Sequence, residues 1–195
     1  MVWQRGSRAD YDVWGTSLGN GEDWTFEELL PFFIRSENWT APSASTPALF
    51  GITPAQKRAL AEVHGLGGPV QITYNNFLTD LDVPAAHAVV AAAGIAPNAN
   101  PDDGTDLSMP AQGVARTVDP STGLRSYSAS AYFDANARVR ESLHVVTNAI
   151  ASKILFDGRR AKAVEFQSDG KTYTVEVTRE VVLAAGKMIL NPSEV

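Results

Sequence analysis

From residue 144 onward the chain is written in short β-branched runs separated by turns, and this texture constrains the fold more than any other feature. The runs are His144-Val145-Val146-Thr147, Ala151 to Phe156, Ala161 to Phe166, Thr172 to Val177 and Val181 to Ala185. Their strand-like lengths and their Val, Ile, Thr and aromatic content predict a sheet. Asp157-Gly158 and Asp169-Gly170 fall between neighbouring runs. Glycine accepts the positive φ that tight hairpin turns need, so consecutive strands are expected to return antiparallel.

Upstream the apolar period is helical. Thr25 and Glu28 have the spacing of a capping box, and Phe26, Leu29, Leu30 and Phe33 recur at three- and four-residue steps. A helix is predicted from there, with Pro31 expected to bend or interrupt it. Thr53-Pro54-Ala55-Gln56 repeats the capping pattern before a stretch ending near Val63, and the intervening Thr40 to Pro54 reads as a long surface loop. A third helix is predicted from Val83 to Ala93, with Asp82 as N-cap, Pro84 in the first turn and Gly94 as its stop. Pro97 to Gly104 is turn chemistry throughout, and Asp102-Asp103 within it reads as a solvated turn. A loop at Asp119 to Gly123 precedes a further helix predicted around Ser128 to Ala137. Helices followed by a β-rich end give an α+β class.

Composition removes several functions. An apolar content of 44% supports a core, while 16 basic against 22 acidic residues, a formal charge of -6, lacks the positive field that a phosphate backbone requires. No nucleic-acid partner is expected. The chain has no cysteine and three histidines, His64, His87 and His144, far apart in sequence, so no metal site is expected. No apolar run approaches the ~20 residues that cross a bilayer, no membrane partner is expected, and no signal-peptide pattern opens the chain. The compartment stays open. His87 shares a helical face with Val83 and Val90 and reads as a partly buried packing residue; His64 and His144 read as structural. Asn38-Trp39-Thr40 is a glycosylation triplet that matters only in a secreted protein.

The segment from Trp3 to Trp14 has no standard catalytic spacing. In order along the chain stand Arg5-Gly6-Ser7, Asp10-Tyr11-Asp12-Val13-Trp14, Leu18-Gly19-Asn20 and Trp24-Thr25. Leu29-Leu30-Pro31-Phe32-Phe33, Ser36-Glu37, His64-Gly65 and Gly68-Pro69-Val70 follow. Then come Gly123-Leu124-Arg125-Ser126 with Ala129 and Tyr132, Val145-Val146-Thr147 with Lys153 to Phe156, and Glu180 to Gly186. Any one of these is a weak signal. Their joint order, over nearly the whole chain, resembles the glucose-methanol-choline (GMC) oxidoreductases.

The resemblance implies an incomplete α/β FAD-binding domain interleaved with part of an α+β substrate-binding domain. Residues 1–70 would be a helix and loop segment flanking the FAD site, 71–140 part of the substrate-binding domain, and 141–195 the β-rich part of the FAD-binding domain. The cofactor implied is FAD and the partner a small-molecule alcohol, oxidised to an aldehyde or ketone by hydride transfer to the flavin. Met1 and Val2 fall where the family lies beside the flavin ring. Ala151 aligns with the residue whose backbone receives the adenine end, and Ala184, Ala185 and Gly186 with a strand end passing close to the cofactor. Each also has a plain reading, as a frayed chain start, an inward strand residue and small-residue packing. The family's G-x-G-x-x-G fingerprint does not occur in the sequence. Its C-terminal histidine base has no counterpart here, so no catalytic residue is assigned and the catalytic apparatus is expected to be incomplete. The segment after Gly186 departs from the family pattern and carries no assignment. Two other readings remain: a non-catalytic remnant or small-molecule-binding module, and an unrelated α+β domain whose ordered matches are coincidence.

Overall fold

The structure is a computed structural model that describes residues 2–19, 21–105, 109–133 and 137–184. Met1, Ala185 and Gly186 lie outside the described residues. The chain divides into two compact units, Met1–Arg140 and Glu141–Val195.

In the first unit, four very short strands make one ribbon. β1 (Val2–Trp3) pairs antiparallel with β4 (Ala115–Arg116), and β2 (Glu37–Trp39) pairs parallel with β3 (Val70–Ile72). A bridge between Thr73 and Arg116 joins the two pairs, each residue's N–H donating to the other's carbonyl at 2.9 and 2.7 Å. Strand alternation then sorts the side chains. Trp39, Val70, Ile72 and Ala115, with Tyr74 and Leu60, form the buried core, and Trp3 packs against it. Glu37 has the same parity as Trp39 and is therefore also inside, with 0% of its surface exposed.

The described residues of this unit also form four α-helices. α1 (Arg8–Thr16) was not signalled by an apolar period; Ser7 and Asp10 form a full capping box at its start. α2 (Phe26–Ser36) begins at Thr25 as expected, but the box is half-made: the Thr25 hydroxyl accepts from the Glu28 N–H at 3.5 Å without a reciprocal bond. Pro31 neither ends nor interrupts α2. It stands on an exposed stretch, and Glu27, whose carbonyl loses its i+4 donor, is exposed to water. α3 (Pro54–Glu62) carries the expected Thr53–Gln56 capping box, and 40–53 contains no helix or strand. α4 (Asp82–Ala93) starts one residue before the expected position: Asp82 is its first residue, and its carboxylate accepts from the Thr79 N–H at 2.6 Å. Gly94 stops it with φ 65°. The helix expected around 128–137 is present over Ala129–Phe133 with π-helical geometry, and residues 134–136 of that expectation lie outside the described residues.

The second unit is a meander, β5 (Ala149–Asp157), β6 (Arg160–Ser168) and β7 (Lys171–Glu176), each antiparallel to the next. Asp169 and Gly170 connect β6 to β7 with φ values of 52° and 72°, the two positive angles of a type I′ turn. Residues 144–147 and 181–184 are not strands, contrary to their β-branched composition. A strand exists only through a partner, and no described segment runs alongside either of them.

The loop between α3 and β3 crosses the end of α2 without room for a side chain. A Cβ on Gly65 would overlap the Ile34 carbonyl oxygen and stand 2.9 Å from that of Glu37, whereas one on Gly67 meets nothing within 4 Å. Gly65→Ala is expected to destabilise the protein by about 3 kcal/mol, and Gly67→Ala to stay within about 0.5 kcal/mol of the parent. Chemical denaturation of the two variants side by side measures the difference.

Candidate functional site

A carboxylate placed in a core by strand parity must find charged partners or lose its charge. Glu37 finds two. Its Oε1 accepts from Arg5 Nη2 at 2.6 Å and its Oε2 faces His64 Nδ1 at 2.7 Å. The Gly65 N–H adds a longer contact to Oε2 at 3.4 Å. Arg5 also donates from Nη2 to the Val63 carbonyl at 2.7 Å, from Nη1 to the Asp102 carbonyl at 2.9 Å, and from its backbone N–H to Asp102 Oδ1 at 3.1 Å. The fourth member, Asp102, brings Oδ2 to 3.6 Å from His64 Nε2. All four residues are buried. The imidazole lies flat on the indole of Trp39, 4.8 Å between centroids at 6°.

The two carboxyls respond differently to this setting. Burial pushes Glu37 up, but the His64 hydrogen bond and the Arg5 charge together outweigh it and hold the group below the usual carboxylate range. Burial raises Asp102, and its backbone donor from Arg5 with the charges of His64 and Arg5 does not reverse the direction. Tyr74, next to the cluster, is pushed up to about 12 by burial. Asp102 was expected in a solvated turn. It is instead only 2% exposed, because the turn folds back onto Arg5, while Asp103 makes the local turn bonds to Thr105.

The other face of the ribbon is polar and open. Val2 is the register partner of Arg116, and Arg116 in turn is bridged to Thr73, so the three share that face. Beside them is a cavity of about 410 Å³ whose walls include Thr40, Ser43, Thr73, Asn75, Arg116 and Asp119. This volume suits a small organic molecule. Asp119 is held below the usual carboxylate range by the Ser121 side chain and backbone, so the cavity carries one cation and one anion on its walls. No histidine lines it.

Of the residues singled out from the sequence, Val2 is an exposed member of β1, with 70% of its surface free. Ala151 is exposed on β5 opposite Phe166, just before a register shift, and Ala184 is exposed outside any strand. Val2 belongs to the first unit, Ala151 and Ala184 to the second. His87 is exposed rather than partly buried, because α4 buries only Ala86; its ring stacks on Phe50 at 4.5 Å. His144 is exposed, and the Asn38 amide is engaged by Gln71 Oε1 at 2.9 Å. The union of Arg5, Glu37, His64 and Asp102 was not visible in the sequence; its one local signal is that Glu37 alternates with Trp39.

The GMC oxidoreductase family model matches residues 1–193. The chain belongs to the GMC oxidoreductase family. It is 42% identical over 191 residues to a dehydrogenase of Armillaria gallica, covering 96% of this chain and 29% of that protein. It is 32% identical over 188 residues to an oxygen-dependent choline dehydrogenase of Burkholderia cenocepacia, covering 95% and 29%. Among solved structures, an FAD-dependent oxidoreductase from Chaetomium thermophilum superposes with a TM-score of 0.75 at 29% identity, over 95% of this chain and 30% of that one. A fungal aryl-alcohol oxidase superposes with 0.69 at 25% identity, over 91% and 29%. The chain thus spans 29% of the length of the two dehydrogenases. The α+β class expected from the sequence agrees with these likenesses.

Removing one partner from a buried ion pair leaves the other uncompensated. Glu37→Gln is expected to cost about 3–5 kcal/mol near neutral pH. Because the folded state holds Glu37 below its unfolded value, the stability it contributes is present above pH 4.5 and lost as pH falls through the lower, folded value. Denaturant midpoints measured from neutral to acid pH should therefore converge for parent and variant.

Proposed function

We propose that this chain is part of an FAD-dependent oxidoreductase that converts a small alcohol to an aldehyde or ketone. In this reading residues 1–70 flank the FAD site, 71–140 belong to the substrate-binding domain, and 141–195 to the FAD-binding domain. The observation that carries it is the exposed face shared by Val2, Arg116 and Thr73 beside a cavity of about 410 Å³, in a chain of this family.

The residues suit the cofactor in part. Met1 and Val2 are assigned to the flavin-ring side, and Val2 is free to be covered. Ala151 is assigned to the adenine end, and Ala184, Ala185 and Gly186 to a strand end passing close to the cofactor. Ala151 and Ala184 are small and exposed, and β5 is an edge strand, so alternate residues along it turn N–H and C=O groups away from β6. A flat heterocycle can lie against such an edge. The described residues offer no glycine-rich strand-to-helix turn for a pyrophosphate. Bound FAD would supply the two-electron acceptor for the hydride that leaves the alcohol carbon. This chain's own contribution is to shape the cavity, to offer hydroxyl, amide and guanidinium groups that orient a substrate, and to keep water out of the core behind β1.

The test is to purify the protein carrying this segment and record its visible flavin absorption and its reduction of a dye on adding primary alcohols. Both signals are expected. A colourless, inactive protein would reduce the claim to descent and favour a small-molecule-binding module. Ala151→Glu places a charge at the proposed adenine edge and is expected to weaken FAD retention about tenfold, ~1.4 kcal/mol. Its KM for the alcohol should stay unchanged; an unaltered FAD affinity removes Ala151 from the site.

A further inference from the structure

Strand parity sets the two sides of β4 against each other. Ala115 and Thr117 are turned into the core, each 5% exposed, and Arg116 between them is exposed on the open side. Its backbone is held in three ways. Arg116 is the register partner of Val2, exchanges both hydrogen bonds with Thr73 at 2.7 and 2.9 Å, and accepts from the Val118 N–H at 3.0 Å. Its side chain has no partner among the described residues. Arg5 and Arg8 each meet a carboxylate at 2.6 Å and Arg35 lies over the Phe32 ring, whereas no described carboxylate stands within 4.0 Å of the Arg116 guanidinium.

A solvated arginine on a convex surface needs no explanation. Arg116 differs in its place, because it stands on the wall of the cavity of about 410 Å³. The polar groups around it at Thr40, Ser43, Thr73 and Asn75 are neutral, and Asp119 is the one acid on the described walls. The Asp119 carboxylate accepts from the Ser121 N–H at 2.8 Å and from the Ser121 hydroxyl at 2.7 Å, so it is served within its own turn and forms no ion pair with Arg116. A permanent cation with a fork of N–H donors therefore stands at a concave site without an acceptor. A planar carboxylate fits that fork through two parallel hydrogen bonds. With Asp119 on the same cavity, a singly charged group is repelled less than a doubly charged phosphate.

We propose that Arg116 is a specificity-determining residue that binds a carboxylate on the substrate, so that the alcohols taken by this site are small hydroxy acids. Because Arg116 stands across from Val2, the carboxylate is held next to the residue assigned to the flavin ring, and the cavity has room for a ring or short chain ending in the CH–OH group. The substrate class rests on the oxidoreductase reading above; the anion site itself needs neither flavin nor turnover.

Benzoate is the probe for the anion site, titrated calorimetrically into the purified protein carrying this segment at about pH 7, where carboxylates are ionised, with benzamide as its neutral counterpart. Benzoate is expected to bind the parent more tightly than benzamide. Arg116→Gln is expected to weaken benzoate about tenfold, the low end for a charge-assisted hydrogen bond because the side chain is exposed. Arg116→Lys keeps the charge and loses the fork, and falls between the two. Equal benzoate affinity in parent and Arg116→Gln overturns the site. Should Arg116→Gln not fold, Asp119→Asn decides: it keeps a side-chain oxygen for the Ser121 donors and removes the neighbouring negative charge, so benzoate must bind more tightly, and unchanged or weaker binding overturns the site. Substrate class is read from the ratio of KM for 4-(hydroxymethyl)benzoate to KM for 4-methylbenzyl alcohol, followed by dye reduction. The parent favours the acid, and Arg116→Gln shifts the ratio about tenfold toward the neutral alcohol. A working oxidoreductase whose ratio does not move overturns Arg116 and leaves the proposed function standing. Benzoate binding that depends on Arg116, in a protein without FAD or dye reduction, keeps the anion site and overturns the oxidoreductase reading.

Discussion

The first unit is organised around one consequence of strand geometry: Glu37 shares a face with Trp39, so the residue that starts β2 enters the core as a carboxylate. Desolvating such a group without partners costs several kcal/mol, comparable to the whole stability of a domain. The surrounding structure is arranged to avoid that cost. Arg5 arrives from the N-terminal segment, His64 from the end of α3, and Asp102 from a loop nearly a hundred residues after Arg5. Three distant segments are thereby tied to one strand, and Gly65 and Gly68 let the chain pass close enough to α2 and β2 for His64 to reach Glu37.

The second unit has no comparable centre. Its meander is held by ladder hydrogen bonds and two tight turns, and of its described apolar residues only Ala163 is fully buried. Ile150, Tyr173 and Val175 remain exposed on the strands, and Val145, Val146, Val182 and Leu183 outside them. Three strands need a covered apolar face for independent stability, so backbone pairing rather than side-chain packing defines this unit.

What was legible in the sequence was local. Thr53 and Gln56 form the capping box that their spacing announces, Gly94 ends α4, and Asp169-Gly170 turns the second hairpin, because each of these depends on a few neighbouring backbone groups. Where a partner elsewhere decides, local reading failed. Residues 144–147 and 181–184 have strand composition without a described strand to pair with. Asp102 looks like turn chemistry, and is, until Arg5 draws it inside. Pro31 looks like a helix breaker, but the carbonyl it deprives is exposed. The family order was readable without any of this, since it rests on residue types in sequence rather than on contacts. Arg5, Glu37 and His64 all stand within the motifs that carried the resemblance, yet nothing in the linear order says that they meet.

The cluster also explains how a strand of two residues can be well placed. β1 has one antiparallel neighbour and two register pairs, too few to hold a strand by pairing alone. Arg5 supplies what pairing lacks: four hydrogen bonds from its backbone and guanidinium to Asp102, Glu37 and Val63, three of them made by a permanent charge in a buried setting. Trp3 then packs inward on the core, while Val2 is exposed and its register partner Arg116 lines the polar cavity. The ribbon is thin, so the electrostatics of its inner face and the geometry of its outer face are separated by a single layer of backbone.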